Sequence, residues 1–163
     1  MSAPAALAPL VNRLRKNARH LGRWARREGL AAWRVYDRDM PEFPYAVDRY
    51  GAWLHVKLFE GKRPFTDDDI GAHLAAIAAT LEVDPARCAF KLRRRQRGTS
   101  QYEKLAAAGE SFVVSERDLR FEVNLTAYLD TGLFLDHRET RAAVRAAAAG
   151  ARFLNLFAYT GSF

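Results

Sequence analysis

The chain has 163 residues, 49% hydrophobic and 28% charged, a composition that fits one soluble globular domain and excludes a disordered or low-complexity protein. No apolar run reaches the ~20 residues of a membrane helix, and the residues before Leu10 lack the basic-then-apolar order of a secretory signal. The formal net charge is +7, which favours a polyanionic partner; the single cysteine, Cys88, allows no intrachain disulfide and fits a reducing cytoplasm.

Residues 1–8 read as a tail. Pro9 suits the first turn of a helix, where its missing N–H costs nothing. Leu10, Val11, Leu14, Ala18, Leu21 and Ala25 then recur at helical spacing, and Gly29 supplies a stop. The other positions carry Arg13, Lys16, Arg19, Arg23 and Arg27, part of a run of seven Lys or Arg between 13 and 27. Such a face is either solvated or laid along a phosphate backbone, and its charge density favours RNA.

Trp33 to Tyr36 reads as a short strand, followed by a proline-rich turn from Asp37 to Pro44. Tyr45–Tyr50 and Trp53–Phe59 read as a hairpin whose second arm alternates. His55 could be functional, but a lone strand histidine is more often a surface residue, and it is expected at the surface. Thr66 can cap the next helix, with Asp69 completing a capping box and Phe65 and Ile70 placed as a staple. Asp67, Asp68 and Asp69 therefore mark a helix start, not a metal site. Ile70, Leu74, Ile77, Ala78 and Leu81 form its buried stripe, and Pro85 ends it.

Cys88, Phe90 and Leu92 alternate with Ala89, Lys91 and Arg93, so a further strand is expected, with the cysteine packing in the core. The segment from Arg94 to Lys104 is basic and contains glycine. Arg93, Arg94, Arg95 and Arg97 suit phosphates, Gln96 and Gln101 suit base edges, and Tyr102 offers a ring for stacking; the alternative is a solvated loop. Phe112–Val114 and Leu119–Leu125 read as a second hairpin. Asp136 is placed to cap a helix that begins near His137, runs to Ala149 and stops at Gly150. Phe153–Phe157 has the pattern of a buried strand, and Tyr159-Thr160-Gly161 supplies a tight turn. In α/β folds such a strand and glycine turn let the backbone approach a nucleotide-like cofactor. The four histidines show no zinc spacing, so no metal site is expected.

Three stretches together resemble the RlmK half of the bacterial RlmKL 23S rRNA methyltransferases. They are Asn12 to Asn17 with Trp24 to Gly29; Arg34-Val-Tyr-Asp37 with Pro41 and Ala46-Val-Asp-Arg-Tyr50; and Tyr128 to Arg138 with Asn155 to Gly161. The last pair is shared with the related RlmI-like cytosine-C5 enzymes. The resemblance runs from about Leu10 onward. It implies S-adenosylmethionine as methyl donor, 23S rRNA or its precursor as partner, 7-methylguanosine as product, and an RlmL-type domain fused or associated. It also implies that Phe157, Tyr159, Thr160 and Gly161 line the cofactor site, with Asp136 and Arg138 at its entrance.

The expected fold is α+β. Residues 9–135 would form a mixed RNA-binding domain of hairpins and helices, and 136–163 the first strand of a truncated Rossmann-like methyltransferase domain. Family sequences continue with a ribose-binding acid and an Asp-Pro-Pro type motif, so the catalytic residues are expected downstream of Phe163. The isolated piece is expected to be inactive, without tight cofactor binding and with its orphan last strand frayed. The alternatives are a non-catalytic RNA-binding module and a fragment of an RlmI-like cytosine methyltransferase.

Overall fold

A computed structural model describes residues 5–59, 61, 64–93, 109, 111–128, 130–156 and 158–163. Helix α1 (Ala8–Arg27) leads into β1 (Ala32–Asp37), β2 (Tyr45–Tyr50) and β3 (Trp53–Phe59). Helix α2 (Asp67–Thr80) then crosses to β4 (Cys88–Arg93), and a hairpin of β5 (Ser111–Glu116) and β6 (Leu119–Asn124) precedes α3 (Arg138–Ala147).

Strands β1 to β4 form one sheet in sequence order. The first two pairings are antiparallel, and β3–β4 is parallel, as expected when a helix joins two strands. The main core lies between this sheet and α1 and α2, built from Leu10, Leu14, Val35, Val47, Leu54, Val56 and Ile77. Leu7, from the supposed tail, is also buried there after a short 3-10 turn, Ala5–Leu7; an apolar side chain at the helix entry packs because that removes it from water.

Helix α2 starts as its sequence dictates. Thr66 accepts a hydrogen bond from the Asp69 amide, and the Asp69 carboxylate accepts one in return from the Thr66 amide. The helix ends at Thr80, before Pro85.

The opposite face of the sheet is also covered. Ala32, Tyr50 and Ala89 pack with Val114, Val123, Leu125 and Leu133 in a second core. The hairpin is tied to the α1–β1 link by backbone bonds, Ala31 N to Ser115 O and Arg117 N to Gly29 O, both 2.9 Å. Gly29 sits at φ +66°, while a β-carbon there would meet the Arg117 Cα at an ordinary 3.5 Å contact, so it is the backbone conformation that calls for glycine.

The structure departs from three sequence expectations. His55 is 0% exposed. Cys88 and Phe90 do pack against the main core, but they are only half-buried and Leu92 is exposed, while Ala89 and Lys91, on the other face, are buried. Period-2 alternation identifies two faces, but it does not say that both will be covered. Asp136 lies in a 3-10 turn, Leu135–His137, and His137 occupies the cap position of α3 with no side-chain cap bond.

The expected strand over 153–157 is not formed at its described residues. Phe153 is 54% exposed, and Leu154 and Leu156 are each 78% exposed. Among the described residues no strand of either sheet pairs with them, and an apolar run without a ladder partner has nothing to hold it extended. Among the described residues no helix is long and apolar enough to cross a membrane.

Candidate functional site

The segment 130–137 brings the two motifs near the end of the chain together. Thr160 Oγ1 donates to the Gly132 carbonyl at 2.6 Å. The Tyr159 ring lies 5.7 Å from that of Phe134, and Phe163 meets His137 edge-on at 5.8 Å. Gly132 and Gly161 have φ of +87° and +70°, conformations that glycine adopts without strain. Around Gly132 and Thr160 opens a cleft of about 460 Å³, lined also by Glu122, Tyr128, Asp130 and Tyr159. That is within the usual range for small-ligand sites, about 300–1,000 Å³.

Beneath the same segment the sheet presents a charged layer. Asp48 on β2 is buried and receives two bonds from Arg34 on β1, Nε at 2.7 Å and NH2 at 3.2 Å. Lys57 on β3 approaches Asp48 at 3.6 Å. On β4, Lys91 donates to the Tyr128 carbonyl and Arg93 pairs with Asp130 at 2.7 Å. Lys57 and Lys91 are direct cross-strand partners.

Desolvation dominates the titration behaviour of this layer. Burial, aided by the neighbouring Lys57, Lys91, Arg93 and Arg34, lowers the His55 imidazole to about 2. Both its ring nitrogens are buried without a hydrogen-bond partner among the described residues. Burial also lowers Lys57, and lowers Lys91 to about 8. The Tyr50 phenol is raised by burial while it bonds Thr131 at 3.0 Å.

The sequence-predicted residues divide sharply. Tyr159 and Thr160 line the cleft, Gly161 follows them in the turn without lining it, and Asp136 is exposed on the rim of the charged layer. Arg138 does not stand at an entrance. It is 7% exposed, donating to Glu116 at 3.1 Å and to the Ala32 carbonyl at 2.7 Å, with its guanidinium 5.5 Å from the Trp24 ring. Arg141 binds the same Glu116, at 3.0 and 2.6 Å. These two arginines therefore fasten α3 to β5.

Arg13, Lys16, Arg19, Arg23 and Arg27 are all exposed on α1, held out by the packing of Leu10, Leu14 and Ala25 on the other side. Arg93 is half-buried against Asp130 instead of free for phosphate. Phe157, Arg94, Arg95, Arg97, Gln101 and Tyr102 lie outside the described residues. Sequence reading missed Arg34, Asp48, Lys57 and Asp130 as a cluster. The alternation of β1 to β3 puts the first three on one face, but their convergence with Asp130 depends on the covering segment.

The profile of an S-adenosylmethionine-dependent methyltransferase family matches residues 38–163. The chain belongs to this methyltransferase family. It is 49% identical over 161 residues to ribosomal RNA large subunit methyltransferase K of Neisseria meningitidis, covering 96% of this chain and 46% of that protein. It is 51% identical over 156 residues to the K/L enzyme of Ectopseudomonas mendocina, covering 93% of this chain and 22% of the relative. The chain thus spans about half the length of the first relative and less of the second. Among solved structures, a methyltransferase fold described as SMU.776 complexed with SAH matches with a TM-score of 0.69 at 23% identity, over 96% of this chain and 40% of that one. An S-adenosylmethionine-dependent methyltransferase from Streptococcus mutans matches with a TM-score of 0.71 at 22% identity, over 99% and 42%. The methyltransferase family fold is therefore shared, as a mixed α+β arrangement of sheet and helices.

Proposed function

We propose that this methyltransferase-family protein acts on large-subunit rRNA at guanine N7, with residues 9–135 gripping RNA and residues 136–163 opening the cofactor unit. The observation that carries the reading is the contact of Thr160 with Gly132 at 2.6 Å, which joins two motifs far apart in sequence around one cleft. The relatives named for rRNA supply the substrate class.

The cleft residues suit S-adenosylmethionine. Tyr128 and Tyr159 offer rings for a purine, and the Glu122 carboxylate offers acceptors for a ribose diol. Gly132, at the cleft wall, takes a left-handed backbone conformation that only glycine adopts without strain. Bound there, the cofactor supplies an electrophilic methyl on sulfur. Guanine N7 has a lone pair and no proton, so the chain's contribution is orientation rather than base catalysis. Cytosine-C5 chemistry would need a poised thiolate. Cys88 instead packs against the α2 side of the sheet, and burial raises its thiol.

The exposed basic face of α1 fits the RNA role, since phosphate neutralisation needs unpaired surface cations. Arg19 and Arg23 have no carboxylate partner among the described residues.

The test is methylation of 23S rRNA by the natural-length protein with tritiated S-adenosylmethionine, and mass spectrometry of the nucleosides. The expected product is 7-methylguanosine, and Thr160→Ala should weaken cofactor affinity about fivefold, the value of one lost hydrogen bond. A 5-methylcytosine product would overturn the guanine reading.

A further inference from the structure

The charged layer under residues 130–136 encloses a second, smaller cavity of about 180 Å³. A water occupies about 30 Å³ of liquid, so the space suits a small ion rather than a nucleoside. Its walls carry Arg34, Lys57 and Arg93 together with Asp48 and Asp130, and Asp136 stands exposed at its rim. The two inner carboxylates are already taken by guanidinium groups, Asp48 by Arg34 and Asp130 by Arg93.

Lys57 is left over. Its side chain is 15% exposed, and among the described residues its one ion-pair contact is to Asp48 at 3.6 Å, beyond hydrogen-bonding distance. Its cross-strand neighbour is Lys91, and like charges placed opposite each other destabilise a sheet. His55, in the same layer, stays neutral and adds no charge. An ammonium largely withdrawn from water with unfilled donors is costly unless an anion completes it.

We propose that this cavity is an oxyanion site centred on Lys57, and that its occupant is a backbone phosphate of the bound RNA. Arg34 and Arg93 flank it, each already paired to carboxylates, so a phosphate there would bond the Lys57 ammonium with two guanidinium groups as flanking positive charge. The cavity shares Asp130, Thr131 and Gly132 with the larger cleft. A strand whose base enters the cleft would thus have a neighbouring phosphate within reach. Only the source of the phosphate rests on the RNA reading above; the oxyanion site rests on the cavity alone.

Two measurements on the 163-residue chain test this. In calorimetry with inorganic phosphate at constant ionic strength, Lys57→Gln should weaken binding about tenfold, whereas Lys57→Arg, which keeps the charge, should stay within about twofold. In anisotropy titrations with a 23S rRNA hairpin, Lys57→Gln should reduce the slope of log affinity against log salt by about one. Equal phosphate affinity in the parent chain and Lys57→Gln would overturn the oxyanion site. Lost phosphate binding with an unchanged RNA slope would overturn the RNA source and leave a site for a free or cofactor-borne oxyanion. If no RNA binds at all, the rRNA reading and the RNA source fail while the phosphate arm still decides the site.

Discussion

The burial of His55 between the sheet and its second layer governs how the fold responds to acid. The unfolded imidazole takes up a proton near its ordinary 6.5, and the folded one only near about 2. Between those values the unfolded chain binds more protons, so stability is full above about pH 6.5 and is lost as pH falls. For one site the slope is at most about 1.4 kcal/mol per pH unit. His73, which bonds the Tyr45 hydroxyl at 2.8 Å and is also lowered by burial, adds in the same direction. Urea unfolding at about pH 7.5 and about pH 5 should therefore show a clear loss. His55→Leu should reduce that loss and cost little at neutral pH, because both its ring nitrogens are unpartnered among the described residues. An unchanged pH dependence in this variant would show that His55 is protonated readily in the folded state.

Between elements, the strongest polar joint is Glu116 of β5 holding Arg138 and Arg141 of α3. Glu116→Ala would leave two buried guanidinium groups without their anion, a loss of about 3–5 kcal/mol. Calorimetric melting of the variant checks it, and a change below 1 kcal/mol, about the worth of an exposed pair, would mean the pair is solvated. Thr66→Ala, which removes the cap of α2, should cost only about 1 kcal/mol. The difference follows what the sequence made legible. The α2 start was readable because its cap, box and acidic turn lie within four residues. The hairpin of β2 and β3 was readable because its alternation is local. The Glu116 joint was not, since its partners lie 22 and 25 residues away, and an Asp-His-Arg string gives no hint that its arginine turns inward. The run from Phe153 was misread for a related reason: composition reports a taste for burial, but a strand also needs a neighbour. At the site, the Thr-Gly turn was visible in the residues, while the charged layer needed three strands and a covering segment to come together.

For the molecule as a whole, the +7 charge is spread unevenly. The exposed α1 face holds Arg13, Lys16, Arg19, Arg23 and Arg27, whereas Lys57, Lys91 and Arg93 of the sheet are buried or half-buried. If α1 lies on RNA, changing those five to Gln should flatten the salt slope by up to about 4.5 for duplex contacts, at about 0.9 per phosphate. Anisotropy across a salt series reads this directly, and an unchanged slope would remove α1 from the interface. Among the described residues the outer side of β4 pairs with no other strand. An unpaired strand edge can recruit a second copy, and the inward charges of Lys91 and Arg93 make such stacking unfavourable. Replacing both with valine should thus turn a monodisperse solution into one that self-associates on standing, seen as rising light scattering.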